Sequence, residues 1–125
     1  ADDMRLVSSL TDDYVDSMQK AVEWRSDLDG EKMTAVEIGK RAGINEATVR
    51  RALSGKESSL NTIVLFCFAL HLPYKASRKI IDNCPHHLLL SNLSHQYYDF
   101  ALQHLYAKEV SEVKSFLNEM GADPL

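Results

Sequence analysis

The chain has little of what marks a secreted, membrane-spanning or β-sheet protein. Two cysteines are too few for a disulfide framework, and Cys67 stands in an apolar run where a reduced, buried thiol is expected. That run, 63–72, is the longest apolar candidate and is far shorter than the roughly 20 residues that cross a bilayer. No segment shows the sustained alternation of apolar and polar residues that is typical of a β-strand, and no Asn-Gly or Asp-Gly pair stands between two apolar runs as in a hairpin. With an acidic start that lacks the order of a signal peptide, these absences predict a cytoplasmic, all-helical protein without a membrane partner.

Motifs for catalysis and for metal binding are missing as well. The chain contains no nucleophile motif and no glycine-rich phosphate loop, so we expect neither an enzyme nor a cofactor. Five histidines and Cys84 raise the question of a metal site. The segment Cys84-Pro-His86-His87 lacks the paired spacing of zinc ligands, and no second cluster follows it. We therefore predict no metal.

Positive charge is scarce overall and concentrated in one place. The net charge is −4, which at first argues against a nucleic-acid partner. Residues 1–31 carry three basic and nine acidic side chains, whereas residues 32–58 carry six basic and three acidic ones. The field at the docking surface matters more for DNA binding than the total charge. The basic block at 32–58 is thus the part of the chain suited to nucleic acid.

Apolar residues recur at helical spacing along the whole chain, between recognisable caps. A first helix is expected behind a Thr11 cap and ends at Asp29-Gly30. Thr34 and Glu37 form a Ser/Thr-x-x-Glu capping box for the second helix, which stops at Gly43. The remaining helices of the first part are predicted as follows: a third capped by Asn45 and ending at Ser54-Gly55, a fourth over Leu60–His71 behind Ser59, and a fifth over Lys75–Asp82.

Cys84-Pro85 breaks this pattern and divides the chain into residues 1–84 and 85–125. Beyond it, two more amphipathic helices are expected, with apolar stripes at Leu93, Tyr97, Phe100, Ala101 and Leu105 and at Val110, Val113, Phe116, Leu117 and Met120. These stripes either pack onto the first part as core or form a dimer or partner surface.

Residues 34–55 have the features of a helix-turn-helix. Two short helices joined by three residues cross steeply only where small side chains occupy the contact, and Gly39, Ala42 and Ala52 meet that need. Gly43 allows the positive φ of the turn. The residues expected to form the apolar wedge between the helices are Ile38, Ile44, Val49 and Leu53.

If Val49 faces the core, the residues on the opposite side of the third predicted helix face solvent. Arginine on such a face can donate two hydrogen bonds to guanine O6 and N7, alanine can contact a thymine methyl, and glutamate can accept from cytosine N4. The alternative for the two arginines is an ordinary solvated surface. The predicted base-contacting residues are Glu46, Ala47, Arg50, Arg51 and Ser54.

Phosphate contacts are expected from cations and from helix N-termini around this row. For the lysines and for Arg41, simple solvation is the alternative. The predicted phosphate-contacting residues are Lys40, Arg41, Asn45, Lys56, Ser59, Asn61 and Thr62.

The motif resembles a known family. Gly43-Ile44-Asn45, Ala47-Thr48-Val49, Leu53-Ser54-Gly55-Lys56 and Ser59-Leu60-Asn61-Thr62-Ile63 make residues 33–72 similar to lambda-repressor-like (XRE-type) regulators. The resemblance implies a five-helix DNA-binding domain, here with a C-terminal helical pair, that acts as a homodimer on a palindromic operator. The chain departs from the family at Ala35, where glutamine is frequent, and at Gly39, where alanine is usual.

Two functions follow from the sequence. The first is sequence-specific binding of double-stranded DNA by a transcriptional regulator, with no small-molecule effector indicated. The second is a protein-interaction module, such as an antitoxin or an accessory domain of a larger regulator. Its motivation is the acidic N-terminal segment and the apolar C-terminal one.

Overall fold

A computed structural model describes residues 2–125 of the chain, and all regular secondary structure in this part is helical. No helix within it has the length and apolar character needed to span a membrane. Eight helices are present in residues 2–125: α1 (Asp2–Ser9), α2 (Tyr14–Asp29), α3 (Ala35–Ala42), α4 (Glu46–Leu53), α5 (Leu60–Ala69), α6 (Tyr74–Asn83), α7 (Leu93–His104) and α8 (Val110–Glu119).

The polar residues expected to start the central helices do so. The Thr34 hydroxyl accepts from the Glu37 amide, the Asn45 carboxamide oxygen from the Ala47 amide, and the Ser59 hydroxyl from the Thr62 amide. Each bond satisfies an amide that the first turn of a helix leaves without a backbone partner. Gly43 ends α3 in the left-handed region with φ 72°. These local signals confirm three helix starts and the turn between α3 and α4.

The N-terminal segment differs from the expectation. The first helix does not begin behind Thr11, because Asp13 is the cap and accepts from the Val15 and Asp16 amides. The backbone of Thr11 is instead bonded through both its amide and its carbonyl to the Ser17 hydroxyl. A separate helix, α1, precedes it and was not predicted. The Trp24 indole donates to the Asp2 carbonyl at 3.0 Å and holds α1 against α2.

Two further details of the predicted helices are wrong. The capping box at Thr34 is only half formed, since the Glu37 carboxylate accepts from the Arg41 guanidinium instead of returning to the Thr34 amide. The fourth predicted helix ends at Ala69 and not at His71. His71 has a positive φ of 51°, and its carbonyl accepts from Arg25, so the chain turns there before Pro73.

The core is organised around α5. Its residues 62–69 are all buried, and the helix contacts α3, α4, α6, α7 and α8. One buried cluster contains apolar side chains from both sides of the Cys84-Pro85 break, including Ile80 from α6 and Leu102, Val113 and Leu117 from the last two helices.

The two C-terminal stripes are only partly buried. Ala101, Val110, Val113 and Leu117 face the core. Leu93, Phe100 and Met120, which belong to the same predicted stripes, are exposed. Tyr97, Leu105 and Phe116 are half-buried and pack against the core cluster. The interpretation of the stripes as core is therefore confirmed for seven of their ten residues, and the other three are exposed because each helix buries a narrower face than its apolar positions cover.

Candidate nucleic-acid interface

The turn between α3 and α4 depends on a close approach of two backbone segments. The Gly43 and Ile44 amides both donate to the Gly39 carbonyl, at 2.8 and 3.0 Å. A Cβ atom at Gly39 would lie 2.7 Å from the Ile44 carbonyl oxygen, a distance that real Cβ atoms do not show. Glycine at position 39 therefore permits the close approach that sets the angle at which α4 leaves the turn.

The inner face of α4 packs as the periodicity predicted. Val49 and Ala52 are each 2% exposed, and Ile38 of α3 is fully buried beside them. Ile44 and Leu53 are half-buried at the edge of the same cluster. The apolar wedge expected between the two helices is thus confirmed, and it fixes which side of α4 faces solvent.

The outer face of α4, together with its C-cap Ser54, presents all five predicted base-contacting residues in one exposed row. A spacing of one, four, five and eight residues from Glu46 keeps them on a single side of a helix with 3.6 residues per turn. The exposed residues of this row, named here the α4 row, are Glu46, Ala47, Arg50, Arg51 and Ser54.

The two arginines of the α4 row have different surroundings. The Arg50 guanidinium donates to the Glu46 carboxylate at 2.8 Å, although its side chain is 65% exposed. Within residues 2–125, the Arg51 guanidinium contacts no carboxylate within ion-pair distance. An exposed i,i+4 pair contributes only about 0.5 kcal/mol or less, so Arg50 can exchange Glu46 for another acceptor. Arg51 needs no such exchange, which makes it the more available of the two donors.

The two cations at the end of α3 are also different from each other. Lys40 is exposed. Arg41 is held by its own protein: it donates to the Glu37 carboxylate at 3.1 Å and to the Ala69 carbonyl at 3.3 Å, and Asp29 lies 4.0 Å away. The structure thus leaves Lys40 accessible for a phosphate contact and places Arg41 in a network that joins α2, α3 and α5.

The remaining predicted phosphate contacts surround the start of α5 and of α4. Lys56 is exposed in the loop after α4. The Asn45 side-chain oxygen is occupied by the Ala47 amide at 2.7 Å. The hydroxyls of Ser59 and Thr62 bond to each other at 3.0 Å, and Thr62 is 8% exposed. Asn61 donates to the Pro124 carbonyl at 3.5 Å, so the end of the described chain lies beside this helix start.

Acidic residues approach the loop after α4 from α2. A Cβ atom at Gly55 would lie 3.5 Å from a methyl group of Val15, which places the first turn of α2 against this loop. Two carboxylates at or just before the start of α2 are paired with lysines, Asp12 with Lys79 at 3.0 Å and Asp16 with Lys20 at 3.0 Å, whereas the Asp13 carboxylate caps the helix. The hydrogen bonds from Lys20 and Thr11 lower the pKa of the Asp16 carboxyl. These pairs partly neutralise the negative charge at the start of α2.

Sequence reasoning missed two side chains that brace the helix-turn-helix. Lys114 of α8 donates to the Ala42 carbonyl at 3.2 Å, where a cation suits the negative end of the α3 dipole. Gln19 of α2 donates to the Leu53 carbonyl at 2.9 Å. Both bonds join residues that are far apart in the chain, and no local pattern could have revealed them.

The cysteine and histidine side chains have structural contacts. No group of three or more metal-binding side chains comes together in the described part of the chain. The His86 ring contacts the Ser58 carbonyl, and the Cys84 thiol donates to the His86 carbonyl at 3.3 Å. Burial raises the pKa of the Cys84 thiol and raises that of Cys67 to about 12, so both cysteines stay protonated at neutral pH.

The arrangement as a whole offers hydrogen-bond donors and positive charge on a helix that a buried apolar face supports. Its exposed donors are Arg50 and Arg51, with Lys40 in the last turn of α3 and Lys56 in the loop after α4. These groups are suited to bind anions and base edges, and none of them is placed as a nucleophile next to a base. No family model, no curated protein and no solved structure matches this chain at a significant level.

Proposed function

We propose that the chain is a transcriptional regulator that binds double-stranded operator DNA in a sequence-specific manner, with α2–α6 as a lambda-repressor-like domain. The observation that carries the proposal is the α4 row. Five exposed residues, two of them arginines, lie on one side of a short helix whose other side is anchored by the buried Val49 and Ala52. An α-helix of this kind fits the major groove, where arginine distinguishes guanine from the other bases.

The proposal assigns readout mainly to Arg51. Its guanidinium is exposed and has no carboxylate to give up before it binds guanine. Arg50 acts beside it, and the release of Glu46 frees that carboxylate to accept from cytosine N4. Ala47 contacts a thymine methyl, and Ser54, which lies at the end of the row, contacts the sugar-phosphate backbone or a base edge.

Phosphate binding falls to Lys40 and Lys56 in this proposal. Arg41 is not part of the proposed interface, because its guanidinium already donates hydrogen bonds to the Glu37 carboxylate and the Ala69 carbonyl. The hydroxyls of Ser59 and Thr62 serve as helix caps, which leaves the first amides of α5 as the groups that could face a phosphate there.

The decisive experiment selects DNA from a random pool with the full chain and then measures the affinity of variants for the selected site. Arg51→Ala is expected to weaken binding about tenfold or more and to relax the preference at one base pair, because a bidentate contact to guanine contributes about 1–3 kcal/mol. Lys75→Ala is the matched control: Lys75 is an exposed cation on α6, outside the motif, and its loss should change affinity less than about twofold.

A second measurement separates phosphate-mediated binding from other association. Affinity for the selected site is expected to fall steeply between about 50 and 200 mM salt, and Lys40→Ala with Lys56→Ala should flatten this dependence. Failure of the pool to enrich any sequence, or equal binding by wild-type protein and by Arg51→Ala on every enriched site, would remove the α4 row from readout.

The alternative function, a protein-interaction module, is favoured by one specific observation. Exposed leucines, Phe100 and Met120 cluster on the C-terminal part of the chain, whereas the N-terminal part is acidic. A partner bound mainly through these surfaces should still be captured by a variant with both Arg50→Glu and Arg51→Glu. Loss of the partner in that variant would contradict binding through these surfaces, because it would place the α4 row in the contact with the partner.

A further inference from the structure

An aromatic cluster lies on the surface between the last two helices. The Phe100 ring stacks on Phe116 with 5.6 Å between ring centres, and Tyr97 meets the same Phe116 ring edge-on at 6.5 Å. Leu93 precedes Phe100 by two turns on the same side of α7, and Met120 follows Phe116 by one turn at the end of α8. These five residues, Leu93, Tyr97, Phe100, Phe116 and Met120, are named here the aromatic strip.

The rest of the fold leaves the aromatic strip largely uncovered. Leu93 is 61% exposed, Phe100 47% and Met120 42%, whereas Leu102 and Leu117 on the opposite sides of the same helices are buried. Among residues 2–125, eight large apolar residues are exposed, and five of them lie at or beyond position 89. Soluble proteins rarely leave apolar groups clustered on the surface unless the cluster binds something. We therefore treat the aromatic strip as a binding surface.

The aromatic strip has an acidic border. Glu112 and Glu119 are exposed about one turn before and one turn after Phe116 on α8. Just beyond α8, exposed Asp123 lies beside the start of α7, because the Ser94 hydroxyl accepts from the Asp123 amide at 2.8 Å. Within residues 2–125, none of these three carboxylates has a basic side chain within ion-pair distance. Three unpaired carboxylates thus surround the apolar groups.

Positive charge does not offset this border. Residues 85–125 carry two basic and five acidic side chains. Lys114 is directed toward the helix-turn-helix, where its ammonium donates to the Ala42 carbonyl at 3.2 Å. Lys108 lies in the loop between α7 and α8 and is followed directly by Glu109. A molecule that covers the aromatic strip therefore meets negative charge at its edges.

This combination of apolar and acidic groups discriminates among possible partners. Carboxylates repel nucleic acids and anionic lipid surfaces. A second copy that met the strip about a twofold axis would bring the carboxylates of both copies together. A protein segment with an apolar side and flanking Lys or Arg satisfies both parts of the surface. Since the strip runs along two helices for about two turns, a helix of that length matches it, as in other cases where an amphipathic helix packs its apolar face on a helical surface.

We propose that the aromatic strip is the docking surface for a basic amphipathic helix of a partner protein. Leu93, Phe100 and Met120 contact the apolar side of that helix, and Glu112 and Glu119 pair with its lysines or arginines. The inference goes beyond DNA binding and does not rest on it. It gives the alternative function, a protein-interaction module, one surface and one partner chemistry, and it excludes the acidic N-terminal segment as the site of docking.

The test titrates synthetic peptides into the full chain by calorimetry, without DNA and at about pH 8, where imidazole groups are neutral. The probe is a peptide of about 18 residues, long enough to form a helix, with leucines at i, i+3, i+4 and i+7 and lysines beside them. One control peptide has the same composition in an order without an apolar side, and a second has glutamate in place of lysine. Only the probe is expected to bind. Equal binding of the reordered peptide would reduce the contact to charge attraction and overturn the proposal.

The apolar part of the surface is tested by Phe100→Ala. This variant should weaken binding of the probe at least about tenfold, because buried aromatic side chains carry much of the energy of an interface. Met4→Ala is the matched control, since Met4 is 70% exposed on α1 in the acidic N-terminal segment, and it should change the affinity less than about twofold. Leu93→Ala, at a side chain that is 61% exposed, repeats the test without risk to the core if Phe100→Ala disturbs folding.

The acidic border is tested by a double variant. Glu112→Gln with Glu119→Gln should weaken binding of the probe about three- to tenfold, as expected for two exposed ion pairs. Glu31→Gln with Glu57→Gln removes the same charge at exposed positions elsewhere and should leave the affinity unchanged. Equal losses in the two double variants would show a general effect of net charge and contradict the assigned border.

Three further outcomes would overturn the proposal. The first is a wild-type chain that does not bind the probe at about 100 µM. The second is a dimer of the chain alone in sedimentation velocity that Phe100→Ala dissociates, because a second copy would then cover the aromatic strip. The third is binding of phosphatidylglycerol vesicles that Phe100→Ala abolishes, which would make a lipid surface the partner. None of these outcomes bears on DNA binding by the α4 row, so the two proposals fail separately.

Discussion

Replacement of Gly39 by alanine has two opposing effects of similar size on stability, a gain in helix propensity and a steric clash in the turn. In a helix interior, alanine is favoured over glycine by about 1 kcal/mol, so helix propensity alone predicts that Gly39→Ala stabilises the protein. The structure predicts the opposite. The new methyl group would lie 2.7 Å from the Ile44 carbonyl oxygen, which belongs to the backbone of the turn and cannot rotate away.

The magnitude follows from the groups that must move. Forcing an extra methyl group into a packed contact costs about 1–3 kcal/mol, and here relief requires a shift of the 43–45 turn and with it of α4. After subtraction of the gain in propensity, we expect a net loss of about 1 kcal/mol in the free energy of unfolding. For a chain of this size that corresponds to a fall in Tm of about 4 °C.

Thermal unfolding followed by circular dichroism measures this directly. Ser115→Ala on α8 is the reference for propensity without a clash, because Ser115 is exposed on a helix. It should raise the Tm slightly. A rise in Tm for Gly39→Ala as large as that of Ser115→Ala would refute the close-approach argument. Because the shift changes the angle of α4, we also expect Gly39→Ala to weaken binding of the selected DNA more than its stability loss explains.

Three further predictions concern stability. Lys114→Met removes the bond to the Ala42 carbonyl and should cost about 1 kcal/mol in urea unfolding, whereas Lys108→Met, an exposed lysine, should cost nothing measurable. Asn45→Ala should lower the free energy of unfolding by about 1 kcal/mol, and Asn45→Ser, which keeps a capping oxygen, should recover most of it. Burial raises the pKa of Cys67 from 9.0 to about 12, so the folded protein keeps a proton that the unfolded chain loses. The contribution of this proton to the free energy of unfolding is fully present below pH 9, and it declines by about 1.4 kcal/mol per pH unit as the pH rises from 9 toward 12. A Cys67→Ala protein that shows the same decline would contradict this assignment.

The helix-turn-helix could be predicted because its determinants are local. A cap such as Thr34 or Asn45 bonds an amide two or three residues away, and the positive φ of Gly43 is needed at one position of the turn. Helical periodicity alone placed Val49 inward, and Val49 is 2% exposed. The same reasoning failed at α1, which buries mainly Leu6 and depends on a bond from Trp24, 22 residues away.

The phosphate-contact predictions show the limit of residue type as a guide. Lys40 and Arg41 are neighbours and were predicted to do the same thing. Only the tertiary structure distinguishes them, because it brings Asp29 and the Ala69 carbonyl to Arg41 and leaves Lys40 exposed. Similarly, the Asn61 side chain has the Pro124 carbonyl as its acceptor, 63 residues along the chain.

The amino-acid sequence by itself determined where the central helices begin, where α3 ends at Gly43 and which side of α4 is outward, since these features depend on residues within two turns of each other. Tertiary structure alone decided which cations remain accessible, why position 39 is a glycine, and which residues of the two C-terminal apolar stripes are buried. Leu117 is buried on α8, which packs against α5, whereas Leu93 and Met120 face solvent. Apolar spacing shows that a helix has a face to bury; only the positions of the other helices show how much of that face they cover.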